Sequence, residues 1–302
     1  MQNSTDHEDF TPVEFAKMAG GGNDFVVIDN RGGEVTDGSG LALRVCTRGV
    51  SVGADGLILL EDSSLEDVRM IYFNADGSRG EFCGNGTRCL ARFAYLQKVC
   101  GPRMRIETDS GTVPALVEGQ TVTLEVFPPA QVELDRPLLV DGEQIRGGFL
   151  TVGVPHYVLL DSRVDFWERD IVALGRATRH HQDLAPAGAN VNFVRVTSRS
   201  AIEVRTYERG VEAETLACGS GVVASVSLSA LSGLIDSPVS VLTRSGIRFT
   251  VSFSKDEASG AVTDVILSGD ARVVYYGELT EEAWSGFDPA WVRNPTSEAP
   301  RP

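Results

Sequence analysis

Cys83-Gly84-Asn85-Gly86 opens one apolar run, Thr87-Arg88-Cys89-Leu90-Ala91-Arg92-Phe93, and Cys218-Gly219-Ser220-Gly221 opens another, Val222-Val223-Ala224-Ser225-Val226. The cassettes lie 135 residues apart (218 − 83). Thr108 and Thr243, Ser110 and Ser245, and Gly111 and Gly246 keep the same offset. A common offset over some thirty residues indicates two similar units, each placing a thiol at the start of a helix. Two thiols from two facing units suit chemistry on opposite sides of one substrate atom.

Strand-like runs dominate the flanks. Phe25–Ile28, Leu57–Leu60, Arg69–Phe73 and Thr121–Val126 fall in the first half. Tyr157–Leu160, Phe193–Val196, Ile202–Arg205 and Val262–Leu267 fall in the second. They are rich in β-branched residues, often alternate, and are bounded by Gly, Asp and Pro. The two clearest helices follow the cassettes. The second is small-residued throughout and shows no wide polar face, so it is expected to be buried all round. The expected fold is α+β: two similar domains related by an internal repeat, each a mixed sheet or barrel around a central helix. Phe127-Pro128-Pro129 separates them. The units are placed at 13–128 and 129–274, with 275–286 returning to the first. Residues 1–12 read as a flexible leader and 287–302 as a frayed tail.

The 302 residues suit two domains, and 42% apolar with 23% charged content is ordinary for a globular chain. No apolar stretch reaches the ~20 residues of a membrane span. The polar, acidic start lacks the features of a signal peptide, so a cytoplasmic location is expected. A net charge of −15 argues against nucleic acid and anionic membrane as partners. Five cysteines exclude a complete disulfide framework, and four scattered histidines offer no zinc cluster. Reduced thiols, no metal and no cofactor are expected.

A Cys-Gly-x-Gly helix start has a chemical rationale. The first N–H groups of a helix have no internal partner and carry partial positive charge. They favour a thiolate or a bound carboxylate, and glycine lets a ligand approach the backbone. Such a position lowers a cysteine pKa from ~8.5 into the ~3.5–7.5 range, which makes the thiol a usable general base. A lone cysteine in an apolar run is usually a small buried hydrophobe, and Cys46, Cys89 and Cys100 read that way. Duplication and flanking glycines set Cys83 and Cys218 apart. A redox dithiol is the rival thiol function. A single-nucleophile hydrolase would mark one cysteine with a His partner.

Polar loops precede both cassettes. Asn74-Ala75-Asp76-Gly77-Ser78 ends the strand through Phe73, and Glu208-Arg209-Gly210 ends the strand through Tyr207. Asn, Glu and Arg at strand ends suit ammonium and carboxylate groups. Gly22-Asn23-Asp24-Phe25-Val26 is echoed by Ala189-Asn190-Val191-Asn192-Phe193-Val194, and Gly53-Ala54-Asp55-Gly56 reads as a simple turn.

With these motifs the chain resembles the diaminopimelate epimerase family over residues 13–285. The match includes Lys17-Met18, Gly22–Phe25, Gly53–Gly56, Asn74–Ser78, Cys83–Cys89, Gly153-Val154-Pro155-His156, Asn190–Phe193, Tyr207–Gly210 and Glu214–Gly221. The resemblance implies interconversion of LL- and meso-diaminopimelate without pyridoxal phosphate, in a cleft between two domains. It implies Cys83 and Cys218 as the acid and base, with His156 and Glu208 tuning them. Substrate contacts are implied from Asn23, Asn74, Asn190, Glu208 and Arg209, and backbone contacts from Gly84, Asn85, Gly219 and Ser220. It also implies a homodimer. Departures occur at Ala19, Gly56 and Val154, where other members carry His, Gln and Asn. A related cofactor-independent racemase with another substrate is the alternative, and an amino-acid-binding protein on the same fold is the non-enzymatic one.

Overall fold

The computed structural model describes residues 12–80 and 82–293. Residues 1–11 of the expected leader and 294–302 of the expected tail lie outside the described residues.

The first half runs β1 (Val13–Gly20), β2 (Asn23–Asp29), α1 (Gly38–Val45), β3 (Gly56–Glu61), β4 (Val68–Asn74), β5 (Arg79–Gly80), α2 (Gly84–Leu96), β6 (Arg103–Thr108), β7 (Gly111–Glu118) and β8 (Thr121–Glu125). Residues 126–129 lead into the second half. It runs β9 (Ala130–Val140), β10 (Glu143–Val152), β11 (Val154–Leu160), α3 (Val172–Arg179), β12 (Asn190–Ser198), β13 (Ala201–Glu208), β14 (Ala213–Thr215), α4 (Gly219–Leu231), β15 (Val239–Thr243), β16 (Arg248–Lys255) and β17 (Val262–Asp270). β18 (Arg272–Leu279) and a short helix α5 (Pro289–Arg293) follow. The start of the expected frayed tail is therefore helical.

The repeat in the sequence is a repeat in hydrogen bonding. In the first half β1 pairs antiparallel with β2, β2 parallel with β3, and β3 antiparallel with β4. Then β4 pairs antiparallel with β5 and parallel with β6, and β6–β7–β8 continue antiparallel. The second half repeats this order from β10 to β17. β18 lies antiparallel to β1, where the second half has β9 against β10. β8 and β17 pair antiparallel and join the halves into one 18-stranded sheet.

This pairing corrects the echo between Asn23 and Asn190. β2 corresponds to β11, and β3 to β12. The residue matching Asn190, the first of β12, is Gly56, the first of β3. The similarity of the two Asn-containing stretches reflects local composition at strand starts, not equivalent places.

Each half wraps its sheet around its own helix. Cys89, Leu90, Ala91, Phe93 and Ala94 of α2 pack among the strands of the first half, and Val222, Val223, Ala224, Val226 and Leu228 of α4 pack among those of the second. In α4 only Ser220 and Leu231 keep partial exposure. That is why small residues fill the helix: strands approach it from every side. The outer helices α1 and α3 cover the other faces of the two sheets.

Candidate functional site

Both cassette cysteines are helix N-caps with extended backbone: Cys83 has φ −143° and ψ 103°, Cys218 φ −124° and ψ 113°. The Cys83 sulfur accepts the Gly86 N–H at 3.4 Å, and the Cys218 sulfur lies 3.4 Å from Ser220 Oγ. A Cβ placed on Gly219 would stand 3.6 Å from Asn85 Oδ1, so the two helix starts face each other across the join. No disulfide joins any of the five cysteines.

The residues around Cys83 form a continuous hydrogen-bonded chain. Arg88 Nη2 donates to Asn85 Oδ1 (2.7 Å), and Asn85 Nδ2 donates to Asn23 Oδ1 (2.7 Å). Asn23 Nδ2 then donates to Asp55 Oδ2 (2.9 Å). Asp55 and Asp24 share Arg48, and Lys17 pairs with Asp24 at 2.8 Å. Asn74, at the end of β4, accepts from Tyr72 Oη at 2.8 Å and donates to Ser78 at 3.0 Å. Asp55 was hidden in what reads as a simple turn. The signal that could have revealed it is topological, since its turn enters β3 just as the Asn190 turn enters β12.

On the other side, Glu208 ends β13 and accepts from Thr215 Oγ1 at 2.8 Å. Asn190 Oδ1 accepts the Arg209 N–H at 2.8 Å, while no hydrogen bond or ion pair engages the Arg209 guanidinium among the described residues. His156 is fully buried. Thr206 donates to Asn192 Oδ1 (2.9 Å), which turns the Asn192 amide toward His156 Nδ1 (3.1 Å). His156 therefore accepts at Nδ1 and carries its proton on Nε2, which has no partner. Burial, with Arg209 nearby, pushes the His156 pKa down to about 3, so the ring is neutral. Asn192 and Thr206 are further residues that the sequence did not single out.

The thiols correct a second expectation. Burial pushes Cys83 up to about 11 and Cys218 up to about 12. The Gly86 amide and Arg88 oppose this at Cys83, and Ser220 opposes it at Cys218, but neither offsets desolvation. The Glu208 charge raises both, and burial raises Glu208 itself. A helix N-terminus contributes ~0.3–1 kcal/mol, whereas one pKa unit is about 1.4 kcal/mol. The loss of water decides the sign.

Cys83 and Cys218 cap helices that Gly84, Asn85, Gly219 and Ser220 open, Asn23 and Asn190 start strands, and Asn74 and Glu208 end strands, with Arg209 next after Glu208. His156 lies within β11, beside Asn192 and near Arg209. A groove of about 830 Å³ lies elsewhere on the first half, between Phe15, Arg31, Phe93 and Tyr276, and contains none of them. Among the described residues no three His, Cys, Asp or Glu side chains gather as a metal site, and no helix is long and apolar enough to cross a membrane.

The duplicated α+β scaffold with paired helix starts is a fold shared with several solved proteins. Its solved neighbours include a PhzF-family phenazine biosynthesis protein from Bacillus anthracis (TM-score 0.72, 15% identity, 90% of this chain and 100% of that one). A hydroxyproline epimerase from Agrobacterium vitis is another (TM-score 0.63, 18% identity, 90% and 93%). Residues 15–128 and 148–271 match the family model described as diaminopimelate epimerase. The diaminopimelate epimerase of Aquifex aeolicus is 43% identical over 283 residues, covering 89% of this chain and 99% of its own. That of Chlorobaculum tepidum is 40% identical over 270 residues, covering 87% and 100%. The chain belongs to the diaminopimelate epimerase family and is an isomerase.

Proposed function

We propose that this protein inverts one α-carbon of LL-diaminopimelate to give the meso form, using Cys83 and Cys218 as base and acid on opposite faces. It thereby serves lysine and peptidoglycan precursor synthesis. The observation that carries the reading is two cysteine N-cap positions at helix starts that face each other.

In this reading one thiolate takes the α-proton, and the opposite thiol delivers its own proton to the other face of the carbon. The amides of Gly84, Asn85, Gly219 and Ser220, at the first two positions of each helix, receive the reacting carboxylate. A substrate ammonium brought beside the sulfurs favours the thiolate that burial disfavours. The free Arg209 guanidinium and Asn74, Asn190, Asn23 and Glu208 hold the remaining polar groups. His156 and Glu208 tune the thiols, His156 as a neutral donor. No cofactor takes part. The enzyme works in the cytoplasm as a homodimer, and the exposed Val274, Tyr275 and Tyr276 of β18 favour self-association. The test is proton exchange at the α-carbon of LL-diaminopimelate in deuterated water, beside a panel of simple L-amino acids. Equal turnover of the panel would favour a broad racemase instead.

A further inference from the structure

The helix α2 carries two arginines, Arg88 and Arg92, where α4 carries no charge, and Arg88 is the one that is fully buried. Arg88 stands five residues after Cys83, and the residue five after Cys218 is Val223. The Arg88 side chain doubles back over the start of its own helix, with Nη1 donating to Gly84 O at 3.3 Å and Nη2 to Asn85 Oδ1 at 2.7 Å. Nε donates to Asp270 O at 3.2 Å, and the guanidinium lies 5.0 Å from the centre of the Phe249 ring. The Asp270 carboxylate is bonded to the Gly21 amide and paired with Arg272, so its charge acts on Arg88 without a direct bond. Among the described residues no carboxylate forms an ion pair with Arg88. A positive charge is therefore held against the two residues that follow Cys83, bonded only to neutral oxygens. An unpaired buried charge is costly and gains most from a compensating charge beside it.

We propose that Arg88 is the positioning residue that makes the duplicated thiols unequal, holding the first thiolate of the pair on Cys83 and leaving the proton on Cys218. The inference rests on the reading of these cysteines as base and acid. In the proton transfer, a Cys83 S–H bond forms as the substrate α-C–H bond breaks, its electron pair staying on the carbon. The Cys218 S–H bond then breaks as a C–H bond forms on the other face, leaving Cys83 as thiol and Cys218 as thiolate. Arg88 thus favours the resting form that accepts the substrate whose α-hydrogen faces Cys83.

The groups facing Cys83 are Arg88 and Cys89 on α2, Tyr72 on β4, Glu208 at the end of β13 and Cys218 at the start of α4. Asp55 faces Tyr72 and Glu208. Glu208 raises both sulfurs and ranks higher among the causes at Cys218 than at Cys83. Arg88 is the one cation in the set, and it lowers Cys83, the less strongly raised of the two.

The test is the alkylation rate of each cysteine against pH, with iodoacetamide as probe and peptide mass spectrometry as readout. In the unmutated protein the Cys83 midpoint is expected about one pH unit or more below that of Cys218, the low end of what a neighbouring opposite charge does. Arg88→Met is expected to raise the Cys83 midpoint by a similar amount and leave Cys218 in place, while Arg88→Lys keeps the order. Equal midpoints in the unmutated protein overturn the proposal, as does an unmoved Cys83 in folded Arg88→Met. Should Arg88→Met lose its cooperative melt, a reversed order in Arg88→Lys overturns it instead. The readout is the sulfur and not turnover, so a protein that alkylates as expected but fails to epimerise removes only the assigned activity.

Discussion

Gly221→Ala separates the two cassettes by stability. Gly221 is the third residue of α4, where an added Cβ would stand 2.4 Å from Asn192 Oδ1 and 3.2 Å from Thr206 Oγ1. Asn192 has to move, and it holds both Thr206 and His156 in the buried interior. Each buried polar group left unpaired costs ~1–3 kcal/mol, so two give ~2–6. Replacing helical Gly by Ala returns up to ~1 kcal/mol. The net loss is about 1–5 kcal/mol. At roughly 2 °C per kcal/mol for a large chain, Tm should fall by about 2–10 °C. Gly86, the counterpart in α2, supplies the control. Its added Cβ would meet the terminal methyls of Ile58 (3.0 Å) and Met70 (3.2 Å), which can rotate away. Gly86→Ala should therefore stay within ~1 kcal/mol of the parent. Differential scanning calorimetry of both variants decides. A Gly221→Ala melt at or above the parent, or a larger loss in Gly86→Ala, would refute the reasoning.

Cys83→Ala and Cys218→Ala should each reduce epimerisation by at least ~10², the low end for a positioned acid or base, and steady-state turnover checks this. With both thiols held above their ordinary range, kcat/KM should still be climbing at about pH 8–9, because the thiolate fraction rises as pH approaches the folded pKa. A plateau reached by neutrality in a pH–rate profile would mean that the amides outweigh burial after all. LL-diaminopimelate should exceed L-lysine by about a hundredfold or more in kcat/KM, since a missing far carboxylate leaves buried partners unpaired at ~1–3 kcal/mol each. Arg209→Lys should erase most of that gap, because lysine cannot offer the planar fork; an unchanged ratio would remove Arg209 from the carboxylate site.

What the sequence made legible follows from local rules. Phe25–Ile28, Leu57–Leu60 and Ile202–Arg205 are β-branched runs between breakers, and all lie within strands. The helix starts were readable because Cys-Gly-x-Gly combines an N-cap with close-approach glycines. The long β9–β10 hairpin was not readable. β9 alternates over Gln131–Asp135, but Pro137 interrupts it and most of its side chains stay exposed, so no buried face marks it as a strand. α1 and α3 are only eight residues long, too short for a clear period. Asp55 was missed because its partners, Asn23 and Arg48, come from separate turns. The acidity of the thiols was misjudged for a related reason. A helix start is visible in sequence, but the depth of water exclusion depends on strands from the whole fold.

The repeat therefore explains the thiols better than it explains the side chains around them. Matching pairings carry Cys83 and Cys218 to equivalent helix starts. Equivalent reach is what inversion needs, since a proton must leave one face and arrive on the other. A chiral carbon bears four different groups, however, and two identical half-sites could not hold it in one orientation. The halves differ at the places that would supply that orientation. Asn74 ends β4 where Glu208 ends β13. Asn85 follows one thiol by two residues where Ser220 follows the other. Gly56 opens β3 where Asn190 opens β12, and a Cβ at Gly56 would meet Tyr72 at 2.6 Å and the Phe73 carbonyl at 2.7 Å. Tyr72 fills that space and orients Asn74, while in the second half Asn190 instead secures the loop that presents Arg209. Symmetry in the backbone pairing and asymmetry in the side chains are thus separate requirements of one reaction, and the duplicated fold meets both.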